Sequence, residues 1–326
     1  MIYVSPPGRL ADHLWGRTNT HRTMRTITSI LVPTDFSSVA LNAYKYALHL
    51  ADELGASVDL LYAIPLSAVS PDYGTLVDTL LVKLEEDARR EMDDFMARGL
   101  AAVAGDLKGV PAVASFVELN DLRSALGRHV RQQHNQLLVM GTAGKRDGWE
   151  DFLGTNASHL ITYAPCPVLV VPPRAAYKPI AAICFATDLH DVATFQAGRL
   201  LHSLRPYRPR LHFLHVRQDK HERTDYDLDL LREVFDRPEA GLRATFADRT
   251  AEDLVGALFS YAAEHDCAWV VMHRPDRSWF RRLLIKSNTG EAVKRARLPL
   301  LILSAEDLVA GDAPLPTATS TVTTAR

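Results

Sequence analysis

Glycine and small polar residues are concentrated in one stretch of the chain. The spacing there is Gly141-x2-Gly144-x9-Gly154-Thr155-Asn156. Glycine lets an anion approach the main chain closely, and the first turn of a helix offers free N–H groups and partial positive charge. A helix that begins near Gly154 would therefore present its N–H groups and the Thr155 hydroxyl to a phosphate.

A purely structural role for the same residues remains open. The three glycines could serve only turns and helix caps, and Thr155 and Asn156 are good helix starters in any protein. Asp35, which follows the first predicted strand, could simply cap the next helix. We expect Trp149 and Phe152 to pack the loop onto a sheet rather than to stack on a base.

Short apolar runs alternate with amphipathic segments in the first half of the chain. The apolar runs predict strands at 27–33, 57–64, 112–119, 136–141 and 167–172. Helical periodicity predicts one helix from Ser37 or Ser38 to Gly55, and others at 75–103, 121–133 and 155–163. Nearly all-apolar strands separated by helices indicate a parallel sheet covered on both faces. Ligands of such sheets bind beyond the carboxyl ends of the strands, where Asp35, Ala63 and Gly141 fall.

The strand pattern repeats in the second half. ILVPTDFS (30–37) returns as ICFATDLH (183–190), DLLYAIP (59–65) as HFLHVRQ (212–218), LLVMGTAG (137–144) as WVVMHRPD (269–276), and CPVLVVPP (166–173) as LPLLILSA (298–305). The offset is 153 residues at Asp35 and 132 at Met140, so the second copy is 21 residues shorter, mostly in its second helix. We predict two homologous domains at 25–174 and 178–305, with a flexible extension at 1–24 and a flexible tail at 306–326.

The second copy has lost the glycines of the loop. Aligned through Met140 and Met272, the residues opposite Gly141, Gly144 and Gly154 are His273, Asp276 and Lys286. Side chains would fill the space of a phosphate, and Asp276 would repel it, so we expect a degenerate site. A metal site formed by Asp188, His215 and His273 is a weaker alternative. His212 and His215 cannot chelate together, because residues three apart on a strand point to opposite faces.

Composition excludes several classes of function. The chain has 326 residues, of which 47% are apolar and 23% charged, and its net charge is −2. That balance argues against a global attraction to nucleic acid or anionic lipid. No apolar run approaches the roughly 20 residues that span a bilayer, and no signal-peptide core is apparent. Three scattered cysteines without a CxxC pattern indicate a reducing cytoplasm. No P-loop and no paired nucleophile and base are present, so no catalytic residue is predicted.

Together with the Asp after the first strand, the glycine motif resembles that of the universal stress protein family. The stretches ILVPTDFS, VMGTAG and GTNASHLITYAPCPVLVVP carry the resemblance, which covers both halves as a tandem. It implies an α/β fold of two tandem, doubly wound parallel-sheet domains of the adenine nucleotide alpha hydrolase-like type. It also implies that the two domains pack as a pseudo-dimer through the strands at 167–172 and 298–303.

The resemblance further implies one ATP site, in the first domain, with magnesium accompanying the phosphates. The glycines and the helix start would bind the ribose and phosphates, while Asp35 and the backbone around Ala63 would hold the nucleoside. The expected nucleotide contacts are Pro33, Thr34, Asp35, Ala63, Met140, Gly141, Thr142, Gly144, Gly154, Thr155 and Asn156.

Three functions are compatible with these residues. The leading one is a cytoplasmic regulatory protein of a stress response that binds an adenine nucleotide with little turnover. The second is a protein–protein interaction or scaffold module, whose glycine loop is only structural. The third is a slow ATPase or self-phosphorylating protein, with Thr155, Ser158 and Ser287 as acceptors. Protein partners or a homodimer would fit the first two, and no nucleic acid or membrane partner is expected.

Overall fold

The computed structural model of the chain describes residues 27–65, 77–141, 164–187, 189, 204–218, 224, 228–235, 243–273 and 298–303. The strands of the first half are β1 (Ser29–Pro33), β2 (Ser57–Ile64), β3 (Val113–Leu119), β4 (Leu137–Gly141) and β5 (Val168–Val171). Those of the second half are β6 (Ala182–Thr187), β7 (Arg210–Arg217), β8 (Arg243–Thr250), β9 (Trp269–His273) and β10 (Leu300–Leu303). The helices are α1 (Ser38–Leu54), α2 (Val77–Val103), α3 (Leu122–Gln133), α4 (Leu228–Phe235) and α5 (Leu254–Glu264).

All ten described strands form one sheet, in the order β3-β2-β1-β4-β5-β10-β9-β6-β7-β8. Neighbouring strands are parallel except β5 and β10, which run antiparallel with Leu169 opposite Leu301. Read inward from either outer edge, the two halves have the same strand order. Each half is therefore a doubly wound parallel sheet, and the two meet at their last strands. This confirms the predicted tandem fold and its packing as a pseudo-dimer.

Helix α1 begins and ends at residues whose side chains favour those positions. The Ser37 hydroxyl accepts the N–H of Ala40 at 3.1 Å, which makes Ser37 the N-cap in preference to Ser38. Gly55 closes the helix with φ 66°, in the left-handed region that glycine adopts without a steric penalty. Both ends are where the sequence predicts them.

Alternating residues of the strands build a core on each face of the sheet. In the first half, Ile30 and Val32 pack on the side of α1 and α2, whereas Leu31, Leu61 and Leu138 pack on the side of α3. The second half repeats the division, with α4 on the first side and α5 on the second. Each of these clusters contains residues of both halves, so the apolar core is continuous across the β5–β10 junction.

Helix α1 also contacts the segment that follows β5 and the second half. Asn42 donates to the carbonyl oxygens of Pro172 and Ala175 in that segment, at 3.0 and 3.3 Å. A carboxylate oxygen of Glu53 accepts the N–H of Ile180 at 3.1 Å. The indole N–H of Trp269 donates to the buried hydroxyl of Tyr46 at 2.9 Å. One helix of the first half thus contacts the junction along most of its length.

Helix α2 has 27 residues and would be long enough to cross a bilayer. It carries charged side chains in nearly every turn. Among the described helices, none combines the length and the apolar character that a membrane crossing requires.

Candidate functional site

The order of the strands in the first half reverses between β1 and β4. The chain leaves β1 toward β2 on one side and returns, after α3, to β4 on the other side. A crevice opens outside the carboxyl ends of two such strands, and ligands of open α/β sheets bind there. Asp35 follows β1 by two residues and Gly141 ends β4, so both lie at this point of the sheet.

A tight turn follows β1. The N–H of Thr34 donates to the carbonyl oxygen of Leu61 at 2.9 Å, and the Thr34 hydroxyl accepts the N–H of Phe36 at 2.9 Å. Phe36 has φ 62°. A bulky residue in this left-handed region costs on the order of 1 kcal/mol or more, and such residues concentrate at ligand sites. The sequence contains no signal for this conformation, because the residue is not a glycine or an asparagine.

Asp35 lies at the tip of the turn with an exposed carboxylate. Its Oδ1 accepts the N–H of Ser37 at 3.1 Å. Because Ser37 is itself the N-cap, the alternative in which Asp35 caps α1 is wrong. The carboxylate is therefore not occupied by the free N–H groups of the first helical turn.

Gly141 is required for the packing of α1 against β4. A Cβ atom at this position would lie 2.7 Å from Cγ1 of Val39 and 2.8 Å from the Val39 carbonyl oxygen, closer than real Cβ atoms approach. Among the described glycines, Gly55 has a left-handed backbone conformation and Gly141 does not. The reason for a glycine here is space beside α1, which sequence reasoning missed because Val39 is far away along the chain.

The remaining described contacts line the same edge. Pro33 and Met140 are buried, and Ala63 is half-buried on the face covered by α3, in the cluster that contains Met140. The hydroxyl and the N–H of Thr34 are both used within the protein. The other predicted contacts, Thr142, Gly144, Gly154, Thr155 and Asn156, lie outside the described residues, as does the helix predicted at 155–163.

The second half repeats the turn after its first strand. The Thr187 hydroxyl accepts the N–H of Leu189 at 3.2 Å, and Leu189 has φ 58°. The strand β9 ends at His273, as β4 ends at Gly141. The second half therefore keeps the turn after its first strand, but it does not keep the glycine at the end of the neighbouring strand.

The histidines of β7 point to opposite faces of the sheet. His212 lies against α5, and Nδ1 of His215 lies 2.9 Å from the carbonyl oxygen of Thr187. Within the described part of the chain, no three His, Cys, Asp or Glu side chains are placed to hold a metal ion. Asp188 is outside that part, as is the side chain of His273.

A buried polar cluster lies beneath α3, away from the carboxyl edge. Oδ2 of Asp59 accepts Nδ2 of Asn135 at 2.7 Å and lies 3.5 Å from Nε2 of His129. Burial opposes ionisation of Asp59, but the neighbouring imidazole of His129 and the hydrogen bond from Asn135 outweigh it and hold the pKa of Asp59 below its usual value. The cluster joins β2 to α3 and is part of the fold.

Comparison with known proteins places these features in one family. Residues 26–172 match the model of the universal stress protein family. A universal stress protein of Methanocaldococcus jannaschii is 35% identical over 150 residues, which cover 44% of this chain and 80% of that protein. A universal stress protein of Synechocystis is 24% identical over 293 residues, covering 84% and 98% of the two chains. The crystal structure of a universal stress protein from Archaeoglobus fulgidus has the same fold, with a TM-score of 0.63 over 86% of this chain and 99% of that chain at 14% identity.

Proposed function

The chain belongs to the universal stress protein family, and on that premise we propose that its first half binds one adenine nucleotide as a regulatory ligand. The ligand is ATP, accompanied by magnesium, and the setting is a cytoplasmic stress response with little turnover. One observation carries the proposal. The exposed Asp35 carboxylate and Gly141 flank the reversal of strand order, at the point where the glycine motif begins.

The chemistry of the edge suits a nucleoside. An exposed carboxylate at the tip of a rigid turn can accept hydrogen bonds from ribose hydroxyls. Ala63, which is half-buried, offers an apolar contact to the flat base, and the buried Pro33 and Met140 lie at the same edge. The glycines that follow, with Thr155 at the predicted helix start, supply main-chain N–H groups and a hydroxyl for the phosphates.

Titration calorimetry with ATP and magnesium tests the proposal. We expect one site per chain, abolished by Gly154→Val, because a β-branched side chain fills the space where phosphate approaches the backbone. Loss of a helix-terminus interaction alone is worth only about 0.3–2 kcal/mol, so steric exclusion dominates. Gly105→Val is the matched control, since a Cβ at Gly105 meets nothing within 4 Å.

The second half provides the complementary test. Lys286→Gly should not create a second site, because His273 and Asp276 still occupy positions that are glycines in the first half. Two equal sites in the wild type, or binding that survives Gly154→Val, would overturn the assignment.

An interaction module is the second candidate. The packing of Gly141 against Val39 gives this glycine a purpose without any ligand. No heat of binding at millimolar ATP, with a fully folded protein, would favour this candidate over the first.

A further inference from the structure

His212 lies in a cluster that joins α5 to β7 and β8. It is 5% exposed, and its Nδ1 lies 2.8 Å from the hydroxyl oxygen of Thr245 on β8. Its ring centroid is 4.8 Å from that of His265, the residue that follows α5. His265 in turn stacks on Tyr261 at 4.0 Å, and its Nδ1 lies 2.9 Å from the Tyr261 carbonyl oxygen. Two imidazoles therefore connect the end of α5 to the outer strands of the second half.

The first half has different chemistry at the equivalent positions. In the internal alignment, the residues opposite Asp59, His129, Gln133 and Asn135 are His212, Tyr261, His265 and Cys267. Asp59 and His129 form a carboxylate–imidazole pair, which proton binding to the imidazole strengthens. His212 and His265 form an imidazole pair, in which two bound protons repel each other. The first half thus has a carboxylate–imidazole pair where the second half has an imidazole pair. Acid therefore has opposite effects on the contact between helix and sheet in the two halves.

The surroundings of the imidazole pair do not neutralise added charge. Nε2 of His212 is buried and has no hydrogen-bond partner among the described residues. Burial, His265 and Arg210 together hold the pKa of His212 below its usual value. The groups around the cluster are Cys184 of β6, Arg210 of β7, Arg249 of β8, Tyr261 and Glu264 of α5, and Lys178, Asp266 and Cys267 nearby. The carboxylates of Glu264 and Asp266 are exposed and already face Arg249 and Lys178, at 4.0 and 2.6 Å.

We propose that His212, packed against His265, forms a proton-sensitive latch, which holds α5 on β7 and β8 when His212 is neutral and releases the helix when His212 is protonated. A histidine with a lowered pKa in the fold binds a proton more readily in the unfolded chain. Its contribution to stability is therefore complete above the unfolded-chain pKa, about 6.5, and is lost as the pH falls below that value. The carboxylate of Asp59 responds only near its own range, below about pH 4. Mild acid thus loosens the second half and leaves the first half closed.

Hydrogen exchange of the full chain, read by mass spectrometry, tests the latch. Each rate is divided by the intrinsic chemical exchange rate at the same pH. Between pH 7.5 and pH 5, we expect the protection of peptides from α5 to fall about tenfold. Peptides from α3, the equivalent helix of the first half, should keep their protection.

Substitutions separate the latch from general acid unfolding. His212→Gln and His265→Gln should each reduce the loss of α5 protection, because the first removes the buried imidazole and the second removes a neighbour that disfavours its charged form. His134→Asn is the control, since His134 is exposed and has φ 58°, which asparagine tolerates. This control should behave as the wild type.

His265→Gln gives a result even where His212→Gln fails to fold, because His265 is only half-buried and the His212–Thr245 contact remains. An unchanged acid response in a folded His265→Gln chain would overturn the latch. Equal loss of protection in α3 and α5, or none in α5, would overturn it as well.

Discussion

At the scale of single residues, two tyrosines of α1 differ in what their hydroxyl groups contact. The hydroxyl of Tyr46 accepts the N–H of Trp269 at 2.9 Å. The hydroxyl of Tyr44 is buried and has no hydrogen-bond partner among the described residues. Burial raises the pKa of both phenols, so both remain protonated at physiological pH. The tyrosine hydroxyl is therefore hydrogen-bonded at position 46 and lacks a hydrogen-bond partner among the described residues at position 44.

Replacing each tyrosine by phenylalanine should reveal this difference. Tyr46→Phe leaves the buried N–H of Trp269 unpaired and should lower the free energy of unfolding by about 1–3 kcal/mol. Tyr44→Phe removes an unsatisfied buried hydroxyl and should leave stability unchanged or raise it by up to about 1 kcal/mol. Urea denaturation of the two variants measures both values. Equal losses would contradict the assignment of the hydrogen bond.

Gly141 gives a second prediction at this scale. Gly141→Ala would force a Cβ against the Val39 carbonyl oxygen, and a backbone atom cannot rotate away. We expect a loss of about 1–3 kcal/mol in the free energy of unfolding, as for other overpacked sites. Gly105→Ala is the control and should be neutral, because its Cβ would meet nothing within 4 Å. A neutral Gly141→Ala would show that α1 can move away from β4.

At the scale of elements, the N-terminus of α1 resolves a choice between two serines. Ser37 accepts the N–H of Ala40, whereas Ser38 is the exposed first residue of the helix. Ser37→Ala should cost about 1 kcal/mol of stability through the lost cap. Ser38→Ala should be neutral or slightly stabilising, because alanine is the better helix former. Thermal unfolding of the two variants, side by side, shows which serine is the cap.

Elements were predictable from the sequence because their signals are local. The strands are short apolar runs, and α1 has a serine before it and a glycine after it, so the bounds agree closely with the predicted ones. Parts of the candidate site depend on contacts that are not local. The left-handed Phe36 depends on the bond to Thr34 and on its ring packing on Tyr62 and Phe95, at 4.4 and 5.8 Å. No residue pattern reports such contacts.

At the scale of the whole molecule, the β5–β10 pair makes one sheet from two. Leu169 and Leu301 face each other across this pair and are both fully buried. Leu301→Asp would place a charge in the continuous core and should lower the free energy of unfolding by about 3 kcal/mol or more. Trp269 fluorescence during urea unfolding reports the change. Val82→Asp, at an exposed position of α2, should have little effect. Similar losses for both variants would mean that the junction is not tightly packed.

Because both sides of the β5–β10 junction belong to one chain, a substitution can change one side without changing the other. In a homodimer, one codon specifies the same residue on both sides of the symmetry axis, so neither side can change alone. Here separate codons specify the two sides. Leu169 and Leu301 pair with each other and are the same residue type at equivalent positions of the two halves. Gly141 and His273 are also equivalent in the internal alignment, as are Asp59 and His212, but these residues differ between the halves. The proposed nucleotide response and the proposed acid response can therefore evolve independently, each in its own half.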